Sequence, residues 1–356
     1  MQSNFGFVDA WSLCLEEGRS DGMAAPRVSV IMAVRDPGRY LQDAIASVVN
    51  QTFHDWELIV VDDGSREDIS GEIQCPNAKL IRQPPLGVSA ARNLGITHSS
   101  GEFISFLDGD DVWFPDKLKK QVFIMNSDPA IGLCHTERNV IDSDGQILFA
   151  ADMPPSSGTT SRSRQIAFSP PDTEPIPSSI YEPPTPDGLR EGLDLIGHTC
   201  VTTSTAMIRR ECLPVTGLFD VMLQYSEDYD MWIKLSRFYK VAHILSCEAS
   251  YRWHGENVMA RYSAARFYDR EMLLKYERFA RGRQDRATAE LIARLIRGAN
   301  KQYAPRAFDQ CRQAFREGRF WHFLYHLSCA VRLDPVFVGA SLKRWLSTNT
   351  QTSDNR

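Results

Sequence analysis

Residues Phe103-Ile104-Ser105-Phe106-Leu107-Asp108-Gly109-Asp110-Asp111 constrain the fold more than any other stretch. An apolar, aromatic run that reads as a fully buried strand ends abruptly in three carboxylates separated by one glycine. Carboxylates are not buried without compensation, so the acids belong at the C-terminal mouth of the strand, beside something cationic. In an open α/β sheet that mouth is where ligands gather. Hard oxygen donors at alternate positions suit Mg²⁺ or Mn²⁺ that is also held by phosphate oxygens. The same letters suit a plain Asp-Gly turn. They do not suit an EF-hand, because Trp113 would stand where the loop needs Gly and Lys119 where it needs Glu.

The flanking sequence supplies the rest of such a sheet. Val28 to Val34 reads as a buried strand, Arg35-Asp36-Pro37-Gly38 as a loop, and Leu41, Ile45, Val48 and Val49 fall at helical spacing. The pattern repeats. Glu57 to Val61 runs into Asp62-Asp63-Gly64-Ser65, Lys79 to Ile81 into Gln83-Pro84-Pro85, and Val88 to Thr97 reads as a helix before the central strand. Such alternation implies an α/β fold with a mostly parallel sheet and right-handed crossovers. Pro115 to Asn126 reads as a further helix, and Ile131 to Ile141 and Ile147 to Ala150 as strands around Asp142-Ser143-Asp144-Gly145. Proline and serine clusters over 151–190 predict a long insertion loop, mobile beside the site or disordered. Thr199 to Ile208 is expected to be a strand, and Ser226 to cap a helix that carries Glu227 and Asp228 in its first turn, where the macrodipole favours acids.

From about Ala264 to Leu346 the chain reads as helical throughout. Residues 261 to 345 carry 18 Lys and Arg against 8 Asp and Glu, although the whole chain has a net charge of −5. A basic helical accessory module on an acidic α/β body is the expected organisation, with residues 1–26 as a loose leader, 27–262 as the main domain and 263–356 as the helical region. The basic excess suits either a solvated face or contact with anionic lipid headgroups. The 8 cysteines include no Cys-x-x-Cys pair, which argues against structural zinc and a disulfide framework and for reduced thiols in a cytoplasmic setting, including the cytoplasmic face of a membrane. Neither a signal peptide nor a membrane-spanning helix is expected.

Three carboxylate clusters therefore need one explanation: Asp62 and Asp63, then Asp108, Asp110 and Asp111, then Glu227 and Asp228. With Arg92 on the intervening helix as a cation, they describe a site for a nucleotide diphosphate and a metal. At these residues the chain resembles the family 2 glycosyltransferases, inverting enzymes of the GT-A (Rossmann-like) fold that use nucleotide-sugar donors. The matching pieces are Val28 to Asp36, Val60 to Ser65, Gly87 to Gly95, Phe106 to Trp113, Ser226 to Trp232 and Tyr251 to Asn257, in the family's order.

The resemblance implies that Ala33, Val34, Arg35, Asp36, Asp62 and Asp63 line the nucleoside pocket, with Asp63 accepting a hydrogen bond from the base imide. It places Arg92 near the base or diphosphate. It puts Asp108-Gly109-Asp110 at the family's Asp-x-Asp motif, with Asp108 toward the ribose and Asp110 on Mn²⁺ or Mg²⁺, and makes Asp228 the catalytic base. Asp111, Glu227 and Trp232 are supporting residues. His254 resembles a further metal-ligand position, and also reads as a turn histidine. The implied partners are a nucleotide-diphosphate sugar, with UDP expected, and a saccharide or lipid-linked saccharide acceptor for cell-surface polysaccharide or glycoconjugate synthesis. No nucleic-acid partner is expected. The competing classes are a metal-dependent nucleotidyltransferase, which lacks its glycine-rich triphosphate loop here, and a non-catalytic sugar-binding module, which would not need Asp110 and Asp228 together.

Overall fold

A computed structural model of the chain describes residues 25–150, 163–168, 176–181, 201–223, 225–255, 257 and 266–350. Two compact units divide the chain, Met1–Trp253 and His254–Arg356.

The first unit is a mixed α/β fold around one sheet. Its strands are β1 (Val28–Val34), β2 (Trp56–Asp62), β3 (Ala78–Arg82), β4 (Phe103–Phe106), β5 (Val112–Trp113), β6 (Ile131–Ile141), β7 (Ile147–Phe149), β8 (Ser163–Phe168), β9 (Ile176–Tyr181), β10 (Met207–Arg209) and β11 (Lys240–Arg252). Its helices are α1 (Leu41–Val49), α2 (Val88–Thr97), α3 (Lys117–Ser127), α4 (Leu213–Thr216) and α5 (Glu227–Ser236). The sheet order is β3-β2-β1-β4-β10-β6-β11-β9-β8, with β5 added to β11 and β7 to β6. Strands β3, β2, β1 and β4 are all parallel, so the loops after β1, β2 and β4 open on one edge of the sheet. Their apolar letters are consecutive rather than alternating because both faces are covered. Val30, Met32, Leu58 and Val60 face a core shared with α1, while Ile59 and Val61 meet Ala91 of α2 on the other side.

Three local expectations change. Two pieces of the expected 151–190 loop are strands: β8 and β9 form an antiparallel pair, and β9 extends the sheet from β11. The remainder of that loop, Thr199 and nearly all of the leader lie outside the described residues. The expected strand at Thr199 to Ile208 is a 3₁₀ turn, Thr203–Thr205, followed by the short β10. Ser226 does not cap α5 through its side chain, because its backbone is left-handed, with φ of 57°. The unit boundary falls after Trp253, ahead of the break expected near residue 262.

The second unit is helical: α6 (Arg266–Gly282), α7 (Arg286–Arg316), α8 (Phe320–Leu333) and α9 (Pro335–Thr350). Ala304, Ala307, Phe308, Ala330 and Val338 form its core. Phe320, Trp321, Leu324 and Val331 of α8 remain exposed, with Trp321 at 78%. Among the described residues no helix is long and apolar enough to cross a membrane. Cys75, Cys134, Cys212, Cys247 and Cys311 are free thiols.

Candidate functional site

At the mouth of β4 the chain turns immediately, and Gly109 is needed there: a Cβ on it would lie 2.7 Å from Val34 Cγ1 at the end of β1. This close approach leaves Asp108 and Asp110 half-buried and drives Asp111 fully inside. Asp111 accepts hydrogen bonds from Ser204 Oγ at 2.6 Å and the Arg252 amide at 2.9 Å, and Arg252 Nε donates to the Asp110 carbonyl at 2.9 Å. Burial, then the charges of Asp110 and Asp108, push the Asp111 carboxyl well above the usual carboxylate range. Acids crowded this closely generate a negative potential that a cation would relieve.

The adjacent loops are stapled by their own acids. Asp62 accepts the Ser65 amide at 2.7 Å and lies 3.5 Å from Arg82 Nε. Asp63 receives Gln83 Nε2 at 2.7 Å and the Leu86 amide at 2.8 Å on Oδ1, and the Gly87 amide at 2.9 Å on Oδ2. Asp36 is left-handed, with φ of 47°. Its amide donates to Ser65 Oγ at 2.9 Å and its carboxylate accepts from the Arg66 amide and Nε, so the loops after β1 and β2 hold each other. Ala33 is half-buried, Val34 buried and Arg35 exposed beside them.

Arg92 joins the strand mouth to α5. Only 4% exposed, it donates to Asp108 Oδ1 at 3.0 Å and to Glu227 Oε1 at 2.6 Å. Burial opposes its charge, but the carboxylates of Asp108, Glu227 and Asp228 outweigh burial and hold the guanidinium protonated. The two acids of the first turn of α5 diverge: Glu227 goes to Arg92, while Asp228 accepts Thr203 Oγ1 at 3.0 Å and the Tyr229 amide at 2.8 Å. Burial and the neighbouring Glu227 charge raise the Asp228 carboxyl to about 7, against the lowering effects of Arg92 and these two donors. A partly exposed carboxylate that titrates near neutrality can take a proton from a bound hydroxyl group. Trp232 is fully buried one turn further on, against Phe106 and Phe219, and anchors α5 to β4.

Sequence reasoning looked to the stretch around Thr202 to Thr205 for acceptor choice, and missed that Thr203, Ser204 and Arg252 contact the acids. Thr203 and Ser204 were hidden in a run of β-branched residues that reads as a strand. Arg252 sits inside the Tyr251 to Asn257 piece, but nothing local signals its reach to the acids. His254 begins the second unit, where its amide donates to the Asn257 side chain. Among the described residues no group of three His, Cys, Asp or Glu converges as a self-sufficient metal site. The donor set at Asp108 and Asp110 instead fits a divalent cation that completes its shell with oxygens of a ligand.

A model of glycosyl transferase family 2 matches residues 29–213, more than half of the chain. The chain belongs to that family. Within it, the uncharacterized glycosyltransferase RP339 of Rickettsia prowazekii is 26% identical over 288 residues, covering 78% of each chain. An uncharacterized glycosyltransferase of Rickettsia bellii is 42% identical over 126 residues, which are 34% of this chain and 18% of that one. The crystal structure of S. aureus TarS has a similar fold, with a TM-score of 0.52 at 16% identity. That likeness covers 88% of this chain and 50% of TarS, so the chain spans less than two thirds of TarS and of the R. bellii relative. The glycosyl transferase family 2 match contains the three strand mouths and Arg92, and ends before α5.

Proposed function

We propose that this family 2 glycosyltransferase moves a sugar from a nucleotide-diphosphate donor, with UDP expected, to a hydroxyl of a saccharide or lipid-linked saccharide with inversion. The observation that carries the proposal is the Arg92 bridge, which ties Asp108 of the donor end to the helix that presents Asp228. In a single displacement the acceptor hydroxyl attacks the anomeric carbon from the face opposite the leaving nucleotide, and Asp228 removes its proton. A titration near 7 leaves about half of Asp228 ionised for that task at neutral pH.

The loops after β1 and β2 form the nucleoside pocket. Asp63 Oδ2, with a single close protein donor, keeps a lone pair for a base N–H. Asp108 faces the ribose. Asp110 would hold Mn²⁺ or Mg²⁺. When bound, the ion neutralises charge on the departing diphosphate. The setting proposed for this reaction is cell-surface polysaccharide or glycoconjugate synthesis in the cytoplasm. The basic helical unit would touch an anionic membrane face through the exposed Phe320 and Trp321 beside Arg316 and Arg319.

The test is thermal-shift and calorimetric titration of UDP and UDP-sugars with and without Mn²⁺, followed by donor hydrolysis. A ligand that binds only the folded state raises its melting temperature. Metal-dependent UDP binding with slow release of free sugar is expected. Binding without hydrolysis in any condition would favour a sugar-binding module.

A further inference from the structure

The turn that contains Thr203 and Ser204 is fastened on several sides. The Thr205 amide and hydroxyl both donate to the Thr202 carbonyl, at 2.9 and 2.7 Å. Gln121 Nε2 of α3 donates to the Thr205 carbonyl at 2.9 Å, Trp113 Nε1 of β5 to the Ser204 carbonyl at 2.7 Å, and Arg138 Nε of β6 to Thr202 Oγ1 at 2.5 Å. Lys117, buried beneath the turn with Nζ 3.9 Å from the Trp113 ring centre, braces that indole. Thr203, Ser204 and Thr205 are all buried. A turn fixed from a helix and two strands cannot rotate without breaking several hydrogen bonds, so its side chains point in fixed directions.

Two neighbouring hydroxyls leave this rigid turn toward opposite ends of the proposed reaction centre. Thr203 Oγ1 donates to Asp228 Oδ2 at 3.0 Å. Ser204 Oγ donates to Asp111 Oδ2 at 2.6 Å and accepts the Asp108 amide at 3.1 Å. We infer that Thr203 is a positioning residue for the base and Ser204 a positioning residue for the acid turn, so that one dipeptide sets the spacing between proton removal and donor binding. The inference rests on the assignment of Asp228 above.

The electrostatics agree with this geometry. Glu227 beside Asp228 on α5 favours the protonated carboxyl, and Arg92 of α2, itself shared with Glu227 and Asp108, favours the carboxylate. The Thr203 hydroxyl is a neutral donor that also favours the carboxylate and fixes which oxygen carries the accepted bond. Valine has the shape of threonine without that donor, so Thr203→Val removes the bond with little change in packing.

The experiment is a double dissociation. Carbonyl-stretch infrared titration, differenced against Asp228→Asn, reports the Asp228 proton, and calorimetry with UDP and Mn²⁺ reports donor affinity. Thr203→Val is expected to move the Asp228 midpoint upward by about one pH unit, the order expected for one hydrogen bond to a charged group. It should leave UDP affinity within about twofold, and Thr203→Ser should restore the midpoint. Ser204→Ala is expected to weaken UDP–Mn²⁺ binding by about tenfold and leave the midpoint in place. An unmoved midpoint in Thr203→Val, or both variants losing both properties together, would overturn the inference. The base assignment fails separately: Asp228→Asn would then retain sugar transfer even though Thr203→Val shifts the midpoint.

Discussion

Replacing Asp228 with Asn separates the proposed chemistry from everything that merely holds the site together. The change preserves size and keeps one oxygen for the Tyr229 amide, while Nδ2 replaces the oxygen at Thr203, whose hydroxyl can accept from it, and the proton acceptor is lost. In the parent protein the carboxyl titrates at about 7, so about a tenth of it is ionised one pH unit below that point and about nine tenths one unit above. Sugar transfer should therefore climb about tenfold between about pH 6 and pH 8 and flatten above pH 8. Asp228→Asn should lose roughly 10²-fold or more of the plateau and the acid limb with it. UDP binding should stay near normal, because the Asp228 contacts are with Thr203, Tyr229 and the Arg92 charge rather than with the acid turn. Stability carries an independent sign. A carboxyl whose folded-state pKa lies above its unfolded value stabilises the fold at low pH and forfeits that contribution as pH rises through about 7. Asp228→Asn should thus melt no lower than the parent at pH 8. The assays are donor hydrolysis or sugar transfer against pH, calorimetry with UDP, and thermal denaturation. Near-parental turnover in Asp228→Asn, or a parental rate that is flat between pH 5.5 and 8.5, would refute the reasoning.

Three further outcomes are expected. Asp110→Asn should abolish the Mn²⁺ dependence of UDP binding in calorimetry with little change in melting temperature, since Asp110 is a half-buried strand-end side chain. His135 is buried and stacked on His243 with ring centres 4.2 Å apart, and burial, then the His243 charge, hold it well below the usual imidazole range. The parent should therefore lose stability as pH falls through about 6.5, and His135→Leu should remove about 1.4 kcal/mol of the difference between pH 7.5 and 5.5 in urea titrations, the comparison cancelling the opposite trend of Asp228. Serine at both Phe320 and Trp321 should reduce co-sedimentation with vesicles containing anionic lipid, and raised salt should reduce it further; equal binding to neutral vesicles would refute charge-assisted contact.

Much of the first unit was legible because parallel strands buried on both faces must be written as continuous apolar runs, and each of the three runs around the site stops at a charged residue. Val28–Val34, Trp56–Asp62 and Phe103–Phe106 declare themselves in this way. The two strands inside 151–190 do not, because proline and serine dominate that stretch and Ile176-Pro177-Ser178 carries little apolar periodicity. The contacts of Thr203 and Ser204 were illegible for a different reason. Their carboxylate partners lie 25 and 93 residues away, and the β-branched letters of the turn give the same local signal as a strand. Likewise, sequence alone places Arg92 among acids without saying which of them it will bind.

That choice decides how the site works. Had Arg92 met Asp228, the charge of the proposed base would have been neutralised and its proton affinity held below neutrality. Because Arg92 bonds Glu227 and Asp108 instead, its charge reaches Asp228 only without a direct bond, and burial and the Glu227 charge outweigh it together with the Thr203 and Tyr229 donors. The cost falls on Glu227→Gln. That variant leaves a buried guanidinium with Asp108 as its remaining close partner, and breaking a buried pair from one side typically destabilises by about 3–5 kcal/mol. Glu227 and Asp228 are adjacent acids in one helical turn, yet one should answer to a stability measurement and the other to a pH profile. Removing the Glu227 charge should only move the acid limb to lower pH; a Glu227→Gln variant that keeps its melting temperature and UDP binding but loses sugar transfer, while Asp228→Asn retains it, would reverse the two roles.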